Sequence, residues 1–319
     1  MLLDGLSKTI AVIGSWITLA VLLAVPNSSL ELGSSLRSHA LMAEHGTLVI
    51  TIPTAHGLVV AADSRAAGKY FHVAQVGRPR VCDEFVKIQS LKNHLRTVFG
   101  MSGTQSLYKA APPKAEVNFC DFMRNNASDS LAPEVQKYFK NNGSIIDEVR
   151  FRSFEKAFIE RISKLWGIDG VRVSADPGNS IVTLMLGQYD VAEHESVVGV
   201  FRLCNKGNKP VECLYSWKEF HATDASQYQW IGEIDRWSEV TSEDMRHQLG
   251  SDYLKSYDYF LSHPRTIESI TTSEALNLAV DIIRSMSKAQ ELRDGYSTLG
   301  GPVRAFLLDE NHPMPFRLQ

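Results

Sequence analysis

The chain lacks a surplus of charge of either sign, has few cysteines, shows no internal repeat and carries a single long apolar run. Each shortage removes a class of protein. With 33 Lys and Arg against 36 Asp and Glu, the formal net charge is −3, so there is no basic excess to neutralise phosphates and nucleic acid is a poor partner. Four cysteines in 319 residues are too few for a disulfide scaffold. The spacings of Cys82, Cys120, Cys204 and Cys213 match no zinc pattern, so neither a metal nor another cofactor is expected. Strand-like and helix-like runs do not alternate one by one, which argues against a parallel-sheet α/β fold.

The 44% hydrophobic content is ordinary for a folded protein and supplies a sizeable core. The apolar run, Thr9 to Val25, is uncharged, is closed by Pro26 and sits at the lower limit of a bilayer-spanning length. Asp4 offsets Lys8 ahead of it, and Ser38-His39-Ala40, the nearest small-x-small site, lies well beyond it. An export signal and an uncleaved membrane anchor therefore both stay open, with a cytoplasmic chain following if the run is not a targeting segment. Residues 1–26 read as this segment, 27–46 as a Ser-rich linker or propeptide, and 47–319 as the folded domain.

In that domain Leu48 to Thr54 and Gly57 to Ala62 are β-branched-rich runs around a turn at Ala55-His56, the pattern of a hairpin. Phe85 to Gln89 and Leu95 to Gly100 suggest a second pair. A helix near Leu107 is ended by Pro112-Pro113, and an irregular stretch follows to about Gly143. Phe154, Phe158, Ile162 and Leu165 mark one face of a helix over Phe151 to Trp166. Ile181 to Gln188, Ser196 to Leu203 and Val211 to Trp217 are strand candidates, and Ser242 to Phe260 is helix-like. Glu274 to Lys288 reads as a helix with Ala275, Leu278, Ala279, Ile282 and Met286 inward and Thr272-Ser273 as cap candidates. Val303 to Leu308 is a last strand. Strands, helices, strands, helices and a strand in that order predict an α+β protein with antiparallel sheets and segregated helices. Cys204 and Cys213 flank the Lys206-Gly207-Asn208 turn, so a hairpin disulfide in an oxidising compartment and a pair of buried free thiols are both open.

Gly46-Thr47 followed by Gly57-Leu58-Val59-Val60-Ala61-Ala62-Asp63-Ser64-Arg65 resembles the start of proteasome β-type subunits, members of the N-terminal-nucleophile hydrolases. Phe85-Val86-Lys87-Ile88 is similar to the family's lysine segment and Met101-Ser102-Gly103 to its glycine turn. Arg293-Asp294-Gly295-Tyr296-Ser297, with Gly300-Gly301, resembles the motif before the last strand. The matches run in order over most of residues 46–301, and the chain is identified as a divergent, bacterial-like member. The resemblance implies a four-layer αββα sandwich, two antiparallel sheets flanked by helices.

It also implies a threonine endopeptidase that cleaves itself at Gly46-Thr47. A threonine hydroxyl is a poor nucleophile without a base, and the freed α-amine, with a pKa of about 8, is a suitable one. By resemblance Lys87 lowers the Thr47 hydroxyl pKa, Asp63 orients Lys87, the Gly103 N–H stabilises the oxyanion, and Asp294 and Ser297 complete the network around the amine. Each residue also has a plainer role: Thr47 opening a strand, Asp63 and Lys87 as an ordinary ion pair, the glycines serving turns, Asp294 and Ser297 capping a helix. The chain departs from the family at Leu48, in place of a second threonine, at Ala67, and after Phe220. There Asp224 falls nearest the position of a Gly-Ser-Gly serine, with Ser226 an alternative after a register shift, and a carboxylate there could either hydrogen-bond the Thr47 amine or hold it protonated. The implied substrates are peptides or unfolded chains and the implied assembly is a homo-oligomeric ring, with membrane attachment through residues 9–25 if that run is an anchor. The alternative is a catalytically inactive proteasome-fold assembly or binding protein.

Overall fold

The computed structural model describes residues 41–42, 47–68, 80–103, 107–108, 120, 131–140, 145–166, 180–207, 209–232 and 237–318. The apolar run 9–25, Gly46, and residues 27–46 apart from 41–42 lie outside these. The chain divides into Met1–Leu36 and Arg37–Gln319, and every described residue belongs to the second unit. Among the described residues no helix is long and apolar enough to cross a membrane.

The strands are β1 Leu41–Met42, β2 Leu48–Thr54, β3 Gly57–Ala62, β4 Ala66–Gly68, β5 Arg80–Cys82, β6 Ile88–Ser90, β7 Thr97–Gly103, β8 Leu107–Tyr108, β9 Ser180–Asp190, β10 Glu195–Lys206, β11 Lys209–Phe220, β12 Gln229–Gly232, β13 Arg304–Asp309 and β14 Phe316–Arg317. The helices are α1 Ala132–Tyr138, α2 Glu148–Trp166, α3 Trp237–Val240, α4 Glu243–Leu249, α5 Lys255–Ser262 and α6 Thr272–Asp294. Two antiparallel five-stranded sheets, ordered β12-β2-β3-β13-β14 and β11-β10-β9-β7-β6, form the body of an α+β protein.

The two-residue period of a strand explains how these sheets are covered on both faces. Along β2, Leu48, Ile50 and Ile52 join a core with α3 to α6, while Val49 points the other way into a core made with the second sheet. Along β9, Leu184 and Leu186 face Phe151, Phe154 and Phe158 of α2, and Met185 faces the first sheet. The first hairpin has the bounds its sequence predicts, with β2 and β3 buried throughout.

Both long helices form where their periodicity places them: α2 begins earlier than predicted and ends at Trp166 as predicted, and α6 runs beyond both predicted ends. In α6 the cap is Thr271 rather than Thr272 or Ser273, because Thr271 and Glu274 bond reciprocally to each other's backbone amides. Its C-terminal end is closed by Gly295 in the left-handed region, φ 73°. The helix-like segment from Ser242 is two helices, α4 and α5. The stretch expected to be irregular contains α1, started by a proline in its first turn. Leu107 lies in a two-residue strand rather than a helix.

All four cysteines are paired. Cys204 bonds Cys213 across the β10–β11 hairpin, Cα–Cα 5.8 Å, beside a register shift at Arg202/Leu203. Cys82 bonds Cys120, 38 residues away, a pairing that spacing along the chain gave no means of expecting.

Where α2 meets β11, Glu155 is buried with one oxygen unpartnered, and the other accepts a 2.8 Å bond from Arg152, which also bonds Glu212. Burial, and then the nearby Glu212 carboxylate, push the Glu155 carboxyl up to about 7. The folded pKa lies above the unfolded one, so the associated stability is full below about 4.5 and is lost as pH rises through about 7. Because Arg152 and Glu212 are more than a third exposed and screened, the loss should be on the order of 1 kcal/mol. Urea melts of the wild type and Glu155→Gln at pH 5 and pH 8 check it: the wild type weakens at pH 8, and the glutamine variant shows a flatter profile.

Candidate active site

The β2–β3 hairpin sets the site. Val49 pairs Ala62 at its open end, so Thr47 and Asp63 emerge side by side, with the Asp63 amide donating to the Leu48 carbonyl at 3.3 Å. Both are buried, at 0% and 1% exposure.

Five hydrogen bonds converge on the Asp63 carboxylate. Lys87 Nζ donates to Oδ1 at 2.9 Å and to Oδ2 at 2.8 Å. The Leu48 amide donates to Oδ1 at 2.9 Å, and the Gly300 and Arg65 amides donate to Oδ2 at 3.1 and 3.3 Å. Oδ1 thus bridges the Lys87 ammonium and the peptide nitrogen that follows Thr47. Both side chains of the ion pair are completely buried. Burial pushes the Asp63 carboxyl up, while Lys87 and the backbone amides pull it down.

Lys87 reaches this point from the extended segment ahead of β6, held to β7 by the Met101 amide donating to the Lys87 carbonyl. A second layer fixes the same strand ends. Arg65 bonds both oxygens of Asp83 at 2.6 and 2.9 Å, Ser64 Oγ donates to the Asp83 carbonyl, and Ser64 and Arg65 amides both donate to the Gly300 carbonyl. Gly301 has φ +69°, and a Cβ there would stand 2.7 Å from Ser64 Oγ and 3.0 Å from the Asp83 backbone. Gly301 is therefore required by close approach to Ser64 and Asp83, and at Gly300, φ +138°, a Cβ would stand 3.1 Å from the Arg65 guanidinium carbon.

Of the residues singled out in the sequence, the structure brings Thr47, Asp63 and Lys87 together. Gly103 ends β7 with φ +81°, and a Cβ there would lie 2.7 Å from the Ile181 carbonyl, a strict need for glycine. Ser297 is buried, but its hydroxyl donates to Gln290 Oε1 at 2.7 Å and its carbonyl accepts from Arg65. Asp294, the last residue of α6, has both oxygens bonded by Arg293 and a side chain 36% exposed.

Asp224 is not the neighbour of Thr47 that the count along the chain suggests. Its Oδ2 accepts from the His221 amide at 2.9 Å and its carbonyl accepts from Ile267, so it closes a turn in a loop laid against residues 265–268. Ser226 belongs to the same loop, its amide donating to Arg265. The chain returns to β2 through β12, whose Gly232 pairs Leu48. Gly232 has φ +119°, and its missing Cβ would stand 1.6 Å from the Thr47 carbonyl oxygen. Gly232 was not among the residues read as functional, and a four-residue strand leaves little signal of its own.

No protein-family model and no curated protein matches the chain. The chemistry of the site therefore rests on its own geometry: a threonine at a strand end, a buried ammonium and carboxylate bridged to the next peptide nitrogen, and a glycine pressed against the threonine carbonyl.

Proposed function

We propose that the chain is a threonine-type peptidase of the proteasome family, self-cleaved at Gly46-Thr47 and working through an acyl ester on Thr47. The observation that carries this reading is the fully buried Lys87–Asp63 pair, hydrogen-bonded through Asp63 Oδ1 to the Leu48 amide beside Thr47. Charge without access to water acts strongly on a neighbouring hydroxyl, and a lysine held by a carboxylate beside a nucleophile lowers the cost of forming the alkoxide. After cleavage the Thr47 amine takes the hydroxyl proton, the oxygen attacks a peptide carbonyl, and the amine returns the proton to the leaving group. Water then hydrolyses the ester by the same route in reverse.

The three cores, helix against sheet, sheet against sheet and sheet against helix, support the four-layer N-terminal-nucleophile arrangement. Two disulfides support an oxidising compartment, and with it an exported or membrane-anchored chain acting on peptides or unfolded proteins. Assembly into a homo-oligomeric ring belongs to the same reading.

N-terminal sequencing tests it. Purified wild-type protein should begin at Thr47 and hydrolyse peptides. Thr47→Ala should keep residues upstream of position 47 and lose activity by roughly 10³-fold or more. Wild-type protein that retains Gly46 would end the proposal. One observation favours the second reading, an inactive proteasome-fold binding protein: the Ser297 hydroxyl donates to Gln290 and the Asp294 carboxylate accepts from Arg293. In that case folded protein with an intact Gly46-Thr47 bond is the expected result.

A further inference from the structure

A second concave site lies along the free edge of β6, where a cavity of about 800 Å³ opens between β6 and α1. That volume is in the range of small-molecule pockets. None of Thr47, Asp63, Lys87 or Gly103 lines it. One wall is apolar: the Cys82–Cys120 disulfide, Phe85, and Val86, which is 40% exposed. The floor is formed by buried Leu91 and Phe139.

The other wall is cationic and built. Gln136 of α1 donates to the Ser90 carbonyl at 2.8 Å and accepts from the Lys92 amide at 3.2 Å, and Asn93 donates to the Lys140 carbonyl. These bonds staple the β6–β7 turn to the C-terminal end of α1 across more than 40 residues of chain. They bring Lys92, Lys137 and Lys140 to one cavity. None of the three ammonium groups is paired with a carboxylate among the described residues. Glu84 is the one acidic side chain in the lining among the described residues. A single exposed lysine is solvated and means little. Three on one cavity, unpaired among the described residues, with side-chain bonds fixing the backbones of Lys92 and Lys140, make with the apolar wall a surface complementary to a molecule with an anionic head and an apolar body.

We propose that this cavity binds a small amphiphilic carboxylate, an acyl or aryl acid, with its carboxylate at Lys92, Lys137 and Lys140 and its apolar body against Phe85, Val86 and the Cys82–Cys120 disulfide. The site is independent of the chemistry at Thr47. Fluorescence titration with 8-anilinonaphthalene-1-sulfonate, an anionic amphiphile, reads it on the folded full chain. One saturable site is expected, with decanoate displacing the probe at least tenfold better than decanol or decyltrimethylammonium. The triple variant Lys92→Gln/Lys137→Gln/Lys140→Gln should weaken probe and decanoate at least tenfold while the melting temperature holds. Val86→Trp, which narrows the apolar wall from an exposed position, should weaken both without touching the charges. Thr47→Ala should leave the titration unchanged. The proposal is overturned if the probe does not bind, if the three competitors act equally, if the lysine variant binds as the wild type does, or if Thr47→Ala abolishes binding.

Discussion

Replacing Lys87 with methionine should destabilise the domain by about 3–5 kcal/mol, the range for removing one partner of a buried ion pair. The side chain is similar in length, so packing is largely kept. What changes is that the Asp63 carboxylate, with no exposure to water, loses its counter-ion and keeps only backbone amides as donors. Desolvation already pushes this carboxyl up, and without Lys87 only the backbone amides and the Arg65 guanidinium oppose it. A folded pKa raised above the unfolded value gives stability at low pH that disappears as pH rises. Lys87→Met should therefore be closest to wild type at acid pH and furthest from it at pH 8. Urea melts at both values check the sign.

The double variant Lys87→Met/Asp63→Asn separates charge from packing. Removing both charges ends the electrostatic penalty, and the asparagine oxygen still accepts from the Leu48 amide or from those of Gly300 and Arg65. The asparagine NH2 then faces the Gly300 or Leu48 amide, donor against donor, at a cost of about 1–3 kcal/mol for an unsatisfied buried group. The double variant should thus recover part of the loss. If it is no more stable than Lys87→Met alone, the unpaired charge is not the cause. Both variants should also fail to produce a Thr47 N-terminus, because neither keeps the lysine that the proposed mechanism requires.

Much of this site could be read along the chain, for reasons that differ by residue. Thr47 and Asp63 are joined by a hairpin with a turn of two residues, so strand pattern alone puts them together. Lys87 needed the ordered resemblance, because residues 69–79 separate it from Asp63 by a length that no turn rule fixes. The long helices were visible because Phe151 to Ile162 and Ala275 to Met286 repeat at helical spacing against a large core. β12 was invisible: Tyr228 and Trp230 pack towards one core and Ile231 towards another, but four residues are too few to separate from the aromatic loop before them. That omission displaced the reading of Asp224, since counting forward from Phe220 reaches a surface loop well before the chain returns to β2. Asp294 and Ser297 show the limit of motif order. It places the backbone, and the side-chain partners, Arg293 and Gln290, are local choices that the motif does not encode.

Gly232 is where the second large effect should fall. Two costs meet there. A side chain at φ +119° adopts a backbone region that L-residues avoid, at about 1–3 kcal/mol. A Cβ 1.6 Å from the Thr47 carbonyl oxygen overlaps backbone rather than the end of a flexible side chain, so either Thr47 moves or β12 leaves β2. Overpacking of this kind adds roughly 1–3 kcal/mol, and Gly232→Val should lose about 2–6 kcal/mol in all. Gly207 supplies the control: it is also left-handed, φ +59°, with nothing within 4 Å of its Cβ position, so Gly207→Ala should cost only about 1 kcal/mol. A Gly232 variant as mild as Gly207→Ala would mean that β12 does not press on Thr47. If it does, the same substitution shifts the carbonyl of the residue proposed to attack, and a Gly232→Ala protein that remains folded should be cleaved more slowly at Gly46-Thr47, read by mass spectrometry of the N-terminus over time.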